Sequence, residues 1–118
     1  MEGELWTETT LHTFEGGADG ILLYGTLSVD SKGSVYGTTY QGGTGFCSNT
    51  GCGTVFQLKP PSAQGGSWTE TLYSFQGGSD GSLPRGSVLI DDKTGVLYST
   101  TSFGGAFNAG TVFGMIFP

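Results

Sequence analysis

Short runs of alternating apolar and polar residues, each bounded by glycine, aspartate or serine, follow one another along the whole chain. Residues 6–14 (WTETTLHTF), 23–30 (LYGTLSVD), 34–41 (SVYGTTYQ) and 53–59 (GTVFQLK) form one series. Residues 68–75, 86–91, 96–102 and 110–116 form a second. Runs of this length, rich in Thr, Val, Tyr, Phe and Leu, predict β-strands. No segment carries a 3.6-residue apolar period long enough to predict a helix. The turns DSKG and DDKTG join the second and third strands of each series. In them Asp30 and Asp91 are placed to accept backbone N–H bonds, and Gly33 and Gly95 to supply positive φ.

Neither face of these strands is cleanly polar. Leu27 and Val29 alternate with Thr26 and Ser28, but Val55, Phe56 and Leu58 crowd both sides of one strand. Sheets covered on both faces have this pattern, and propeller blades are such sheets.

The two series also say the same thing twice. WTETTLHTF returns as WTETLYSF, EGGADG as QGGSDG, YGTLSVD as RGSVLID, YGTTYQGG as YSTTSFGG, and GTVF as GTVF. Repeats of this length built from short strands predict an array in which each unit needs neighbours to cover its faces. The expected fold is therefore all-β, with two four-stranded propeller-type blades, residues 1–61 and 62–118, joined by the link PPSAQGG at 60–66. In each blade the first strand (6–14 or 68–75) is expected outermost and the second innermost, with an extra Thr bulging the 6–14 strand. Two blades leave an apolar face at each end, so the ring is expected to close by head-to-tail self-association. Six blades from a trimer are preferred over eight from a tetramer.

Composition narrows the function. Ten acidic residues against four basic ones give a net charge of −6, which removes the basic footprint needed for nucleic acid. No apolar run approaches a membrane span, and the first residues do not read as a signal peptide. Cys47 and Cys52 are the only cysteines, separated by four turn-forming residues. They are expected to form a loop disulfide and to place the protein outside the cell or at its surface. With no second Cys/His pair, neither a metal site nor a cofactor is expected.

The chain resembles the GloVer tandem-repeat family of bacterial surface proteins. The matching residues are the strand Leu72 to Phe75, the GGSDG of Gly77 to Gly81, the Asp-turn-Gly-x-x-Tyr stretch, the YGTT of Tyr36 to Thr39 and the CGTVF of Cys52 to Phe56. The resemblance covers nearly the whole chain and implies a propeller-like repeat at a bacterial surface. These are structural motifs, and the resemblance implies no catalysis.

If the strands alternate direction, the loops EGGADGILLY and QGGTGFCSNTGCG share one face with QGGSDGSLPR and FGGAFNAG. That face is expected to gather Asp19, Tyr24, Tyr40, Gln41, Phe46 and Asn49 from the first unit. From the second it would gather Asp80, Arg85, Phe103, Phe107 and Asn108. Aromatic faces beside fixed hydrogen-bonding groups suit a polyhydroxylated ligand such as a sugar. A non-catalytic, carbohydrate-type binding or interaction module is the expected function. The alternative is a small hydrolase whose site forms between blades or subunits from Asp19, Asp80 and His12. Glu8 and Glu70 are expected to be solvated on the outer strand.

Overall fold

The protein, described here over residues 6–118 by a computed structural model, is all-β. Seven short strands form two antiparallel sheets. The first contains β1 (Ser28–Val29), β2 (Val35–Thr39), β3 (Thr54–Lys59) and β4 (Thr69–Ser74), in that spatial order. The second contains β5 (Leu89–Asp91), β6 (Val96–Thr101) and β7 (Thr111–Met115).

The hairpin turns form as their residues dictate. Asp30 Oδ1 accepts from the Lys32 and Ser34 backbone N–H groups at 3.0 and 2.9 Å, and Gly33 supplies a φ of 87°. Asp91 Oδ1 accepts from Lys93 N–H at 3.1 Å, with Gly95 at a φ of 78°. Register then follows from the turns: Ser28 faces Tyr36 in one sheet, and Leu89 faces Tyr98 in the other.

One expectation is corrected. Residues 6–14 are not the outer strand of the first sheet and form no strand at all, so they also hold no bulge. The outer strand is β4, which comes from the second repeat and pairs with β3 from Thr54↔Ser74 to Lys59↔Thr69. The Pro/Gly-rich stretch 60–66 accordingly lies within the β3–β4 connection, inside one sheet. The second sheet has three strands, and among the described residues nothing pairs with the outer edge of β7. The cause is that period-two alternation marks a segment as a strand without saying which edge it joins.

The sheets pack against each other through Tyr36, Cys52, Val55 and Phe75 on one side and Val88 and Leu97 on the other, with Ile90, Phe113, Met115 and Phe117 closing the seam. Each fully buried side chain of this size is worth ~1.5–3 kcal/mol. Polar pins align the inner ends: Ser28 Oγ donates to the Val88 carbonyl at 2.8 Å, and Leu83 N–H to the Cys52 carbonyl at 2.7 Å.

Equivalent positions of the two repeats make equivalent contacts. The hydroxyls of Thr39 and Thr54 meet at 2.8 Å, as do those of Thr101 and Thr111. Gly20 (φ 112°) lies against Thr39 and Gly81 (φ 99°) against Thr101, so closely that neither position has room for a Cβ. The Phe14 ring packs on Phe56 with centroids 5.1 Å apart, and the Phe75 ring on Phe113 at 5.3 Å.

Candidate functional site

The Gly-rich loops come together as their repeats suggest. Ile21 and Gln41 form an antiparallel bridge, and so do Ser82 and Phe103. Gly43 N–H reaches the Gly17 carbonyl at 3.0 Å, and Gly105 N–H the Gly78 carbonyl at 2.9 Å. The loop after β2 is thereby tied to the loop that precedes β1, and the loop after β6 to the loop that precedes β5.

Among the expected ligand-binding residues, Tyr24, Tyr40 and Arg85 converge. The two rings meet edge to face at 5.4 Å. The Arg85 guanidinium carbon stands 5.1 Å from the Tyr24 ring centroid and 5.4 Å from that of Tyr40. Arg85 follows Pro84, which is fully buried and fixes the backbone from which the arginine projects. A cation over two aromatic rings is a stable arrangement. Tyr24 remains 54% exposed, so the cluster is open to solvent.

The other candidates divide by role. Asp19 accepts from Glu15 N–H at 3.2 Å and lies 3.3 Å from His12 Nε2. Asp80 accepts from Gln76 N–H at 3.0 Å and from the Tyr73 hydroxyl at 2.6 Å. Each carboxylate therefore closes the loop of its own repeat by accepting from the backbone N–H four residues earlier. Asn108, in the left-handed region at φ 53°, accepts from Gly104 N–H at 2.8 Å and is likewise engaged in its turn. Gln41 and Phe103 hold the bridges. Phe46 and Phe107 stand almost free in solvent. Phe46 and Asn49 flank a shallow cleft of about 260 Å3 walled by Gly16, Gly42 and Gly51.

Glu70 overturns its expectation. Rather than lying solvated on an edge, its side chain is only 18% exposed, and its Oε2 sits 3.1 Å from His12 Nε2. Burial pushes its carboxyl above the ordinary value, opposed by His12 and reinforced by the nearby Asp19 charge. His12, Asp19 and Glu70 place their donor atoms within 4.8 Å of one another. His12 Nε2 stands between the Asp19 and Glu70 carboxylates and clasps residues 6–14 to β4, while the buried Glu70 Oε2 accepts no hydrogen bond among the described residues. Alternation along the strand shows Glu70 on an edge but not that residues 6–14 cover it there.

The sequence reading also missed a polar chain at the opposite end of the sheets. Gln57 Nε2 donates to the Tyr36 hydroxyl at 2.9 Å, and that hydroxyl donates to Asp30 Oδ2 at 2.8 Å. Burial alone would raise the Asp30 carboxyl, but these hydrogen bonds from Tyr36, Ser34 and Lys32 outweigh it and hold it below its ordinary value. The repeated Asp-turn-Gly-x-x-Tyr stretch was the available signal. A cleft of about 400 Å3 adjoins this chain, lined by Asp30, Tyr36, Gln57, Ile90, Asp92 and Phe117. It is roomier than the cleft beside Phe46, and its polar groups bond one another except for Gln57 Oε1, which is buried without a partner among the described residues.

Cys47 and Cys52 form the expected disulfide, with Cα atoms 5.2 Å apart. Cys52 is fully buried and belongs to the seam between the sheets, so the bridge anchors the loop to the core. Gly77 lies directly against it: a Cβ there would come within 2.8 Å of Cys47 Sγ. No helix of the described residues is long and apolar enough to cross a membrane. Comparison with protein-family models, curated proteins and solved structures finds no match to this chain.

Proposed function

We propose that this chain is a non-catalytic binding module, two blades of a propeller-type ring closed by head-to-tail copies and working at the cell surface or outside it. Its ligand is a polyhydroxylated molecule of the carbohydrate type, held at Tyr24, Tyr40 and Arg85. The observation that carries the ligand reading is the convergence of two tyrosine rings and one guanidinium, brought from both repeats to one open face. Ring edges and faces cover the C–H surfaces of a sugar, while the guanidinium and phenol groups pair with its hydroxyls. The disulfide is compatible with an oxidising, extracytoplasmic setting, and the resemblance to GloVer repeats points the same way.

The hydrolase alternative has one contact in its favour, His12 beside Asp19. Asp80, its third member, is engaged by Tyr73 in the other repeat, and the tyrosine–arginine cluster is therefore the better-supported site.

A glycan array probed with the purified protein tests the reading. Binding to a defined set of glycans is expected, lost on Tyr24→Ala or Arg85→Ala with an unchanged far-UV spectrum. Truncating a central aromatic or arginine anchor costs ~2 kcal/mol or more, about thirtyfold in affinity. An empty array, combined with turnover of a model ester or glycoside that is lost in Asp19→Asn, would favour the hydrolase.

A further inference from the structure

We propose that residues 6–14 of one copy of this chain add to the free edge of β7 in a second copy, as the fourth strand of its second sheet. The inference rests on the head-to-tail reading above and specifies how the copies are joined.

The template lies within the chain. Residues 68–75, the counterpart of 6–14, serve two sheets at once. Their backbone completes the first sheet through β4, pairing with β3, while the Phe75 ring at their end packs on Phe113 of the second sheet at 5.3 Å. Tyr73 is fastened to the second repeat's own loop through Asp80. Residues 6–14 make the second kind of contact and lack the first. Phe14 packs on Phe56 at 5.1 Å, and His12 meets Asp19 of its own loop at 3.3 Å. Their backbone pairs with no strand among the described residues. The segment is thus fixed at its end by side chains while its hydrogen-bonding edge is unused.

The complementary edge is β7. It carries the same TVF sequence as β3, follows a matching glycine, Gly110 in the place of Gly53, and among the described residues has no partner on its outer side. A strand and an edge that match a pair already formed elsewhere in the same molecule define their own register. Ser74↔Thr54, Tyr73↔Val55 and Leu72↔Phe56 translate into Thr13↔Thr111, His12↔Val112 and Leu11↔Phe113 between copies. The hydrogen-bonding phase is set as well. Phe75 N–H donates to the Gly53 carbonyl at 3.0 Å, so in this antiparallel ladder Tyr73 and Thr71 also belong to hydrogen-bonded pairs, and Ser74 to a non-bonded one. Thr10, the counterpart of Thr71, would donate to the Gly114 carbonyl of the neighbour.

Because residues 6–14 pack by Phe14 against the first sheet and the free edge belongs to the second, each copy gives one segment and receives one. Contacts of this head-to-tail type close into a ring when the rotation allows. Adding a strand to an exposed edge gains main-chain hydrogen bonds without requiring a preformed pocket. The exchange also removes an open edge that would otherwise invite uncontrolled pairing.

Two variants test the proposal beside the wild-type mass in solution. Thr10→Pro removes the predicted donor at a position exposed in the single chain. It should reduce the mass to that of one chain, whereas Thr10→Ala retains the assembly. Thr13→Cys combined with Thr111→Cys places thiols on a non-hydrogen-bonded pair, whose Cα separation of ~4.5 Å lies within disulfide range. Oxidation should link one chain to the next, a bond absent from wild type under the same conditions. An assembled wild type in which Thr10→Pro leaves the mass unchanged and the double-cysteine protein forms no intermolecular bond would overturn strand exchange while leaving the ring intact. A monomeric wild type would overturn both.

Discussion

Val55 and Val112 occupy the same place in the two GTVF strands, yet Val55 is completely buried and Val112 is 81% exposed. The difference is not chemical, since the residue and its neighbours are the same. Val55 lies under the second sheet, and among the described residues no third sheet lies over Val112. Their surroundings repeat the contrast. Tyr36 is 5% exposed and its counterpart Tyr98 43%; on the opposite face Val88 is 5% exposed and its counterpart Leu27 52%. The uncovered faces of the two sheets are therefore the same two surfaces that already pack together between them.

Val112→Ala separates an isolated pair of sheets from an assembled ring. At so exposed a position the substitution should change stability by no more than ~0.5 kcal/mol if the chain acts alone. Covered as Val55 is, the lost methyl groups and the residual space should cost ~2 kcal/mol. Denaturant unfolding of the variant beside wild type, at equal chain concentration, reads the difference directly. The account expects the larger value and a midpoint that rises with concentration.

Much of this was legible in the sequence, for physical reasons that can be named. The strand runs, the Asp–Gly turns at Asp30 and Asp91, and the Cys47–Cys52 bridge are local, so residue type and short spacing suffice to identify them. The convergence of Tyr24, Tyr40 and Arg85 followed from placing loops on a common face, although the sequence did not distinguish these three from Asp19, Asp80 and Asn108, which serve their own turns. The allocation of strands to sheets was not legible. Residues 68–75 alternate in the same way whether they pair with Val55 or with Val112, and the choice is made by a long-range contact across the β3–β4 connection. Nor does alternation show that residues 6–14 cover Glu70 on its edge.

The disulfide should act mainly on the loop and the seam it enters. Closing so short a loop removes little chain entropy, so reduction, or Cys47→Ser with Cys52→Ser, should cost ~2 kcal/mol in thermal or denaturant unfolding. Gly77→Ala should be destabilising even with the bridge intact, because its φ of 87° disfavours a side chain and its Cβ would press on Cys47 Sγ. Unchanged melting of the reduced protein would contradict a seam role for Cys52.

Two tyrosines should titrate late: Tyr36, which burial pushes up, and Tyr73. The hydrogen bond Tyr73 donates to Asp80, helped by partial burial and the carboxylate charge, moves its hydroxyl up to about 12. A raised value in the folded state means the neutral phenol is preferred there. Its stabilising contribution is full below the ordinary tyrosine value of ~10 and is lost as pH rises through the folded value. Absorbance titration near the phenolate band should therefore show a component that ionises above the ordinary range. The part of it due to Tyr73 should disappear in Tyr73→Phe and move down in Asp80→Asn, leaving that of Tyr36 in place. A wild-type titration in which all five tyrosines ionise together near the ordinary value would contradict the Tyr73–Asp80 bond.

The central claim is that each chain is an incomplete ring, and the mass of the native protein in solution tests it most directly. Propellers have ~4–8 blades, so two-blade chains close as about two to four copies, with three preferred. Sedimentation equilibrium or light scattering should give a single species at a whole multiple of 12.2 kDa, with dilution unfolding the chain rather than releasing a folded monomer. A monodisperse, well-folded species of 12.2 kDa across the concentration range would contradict the account.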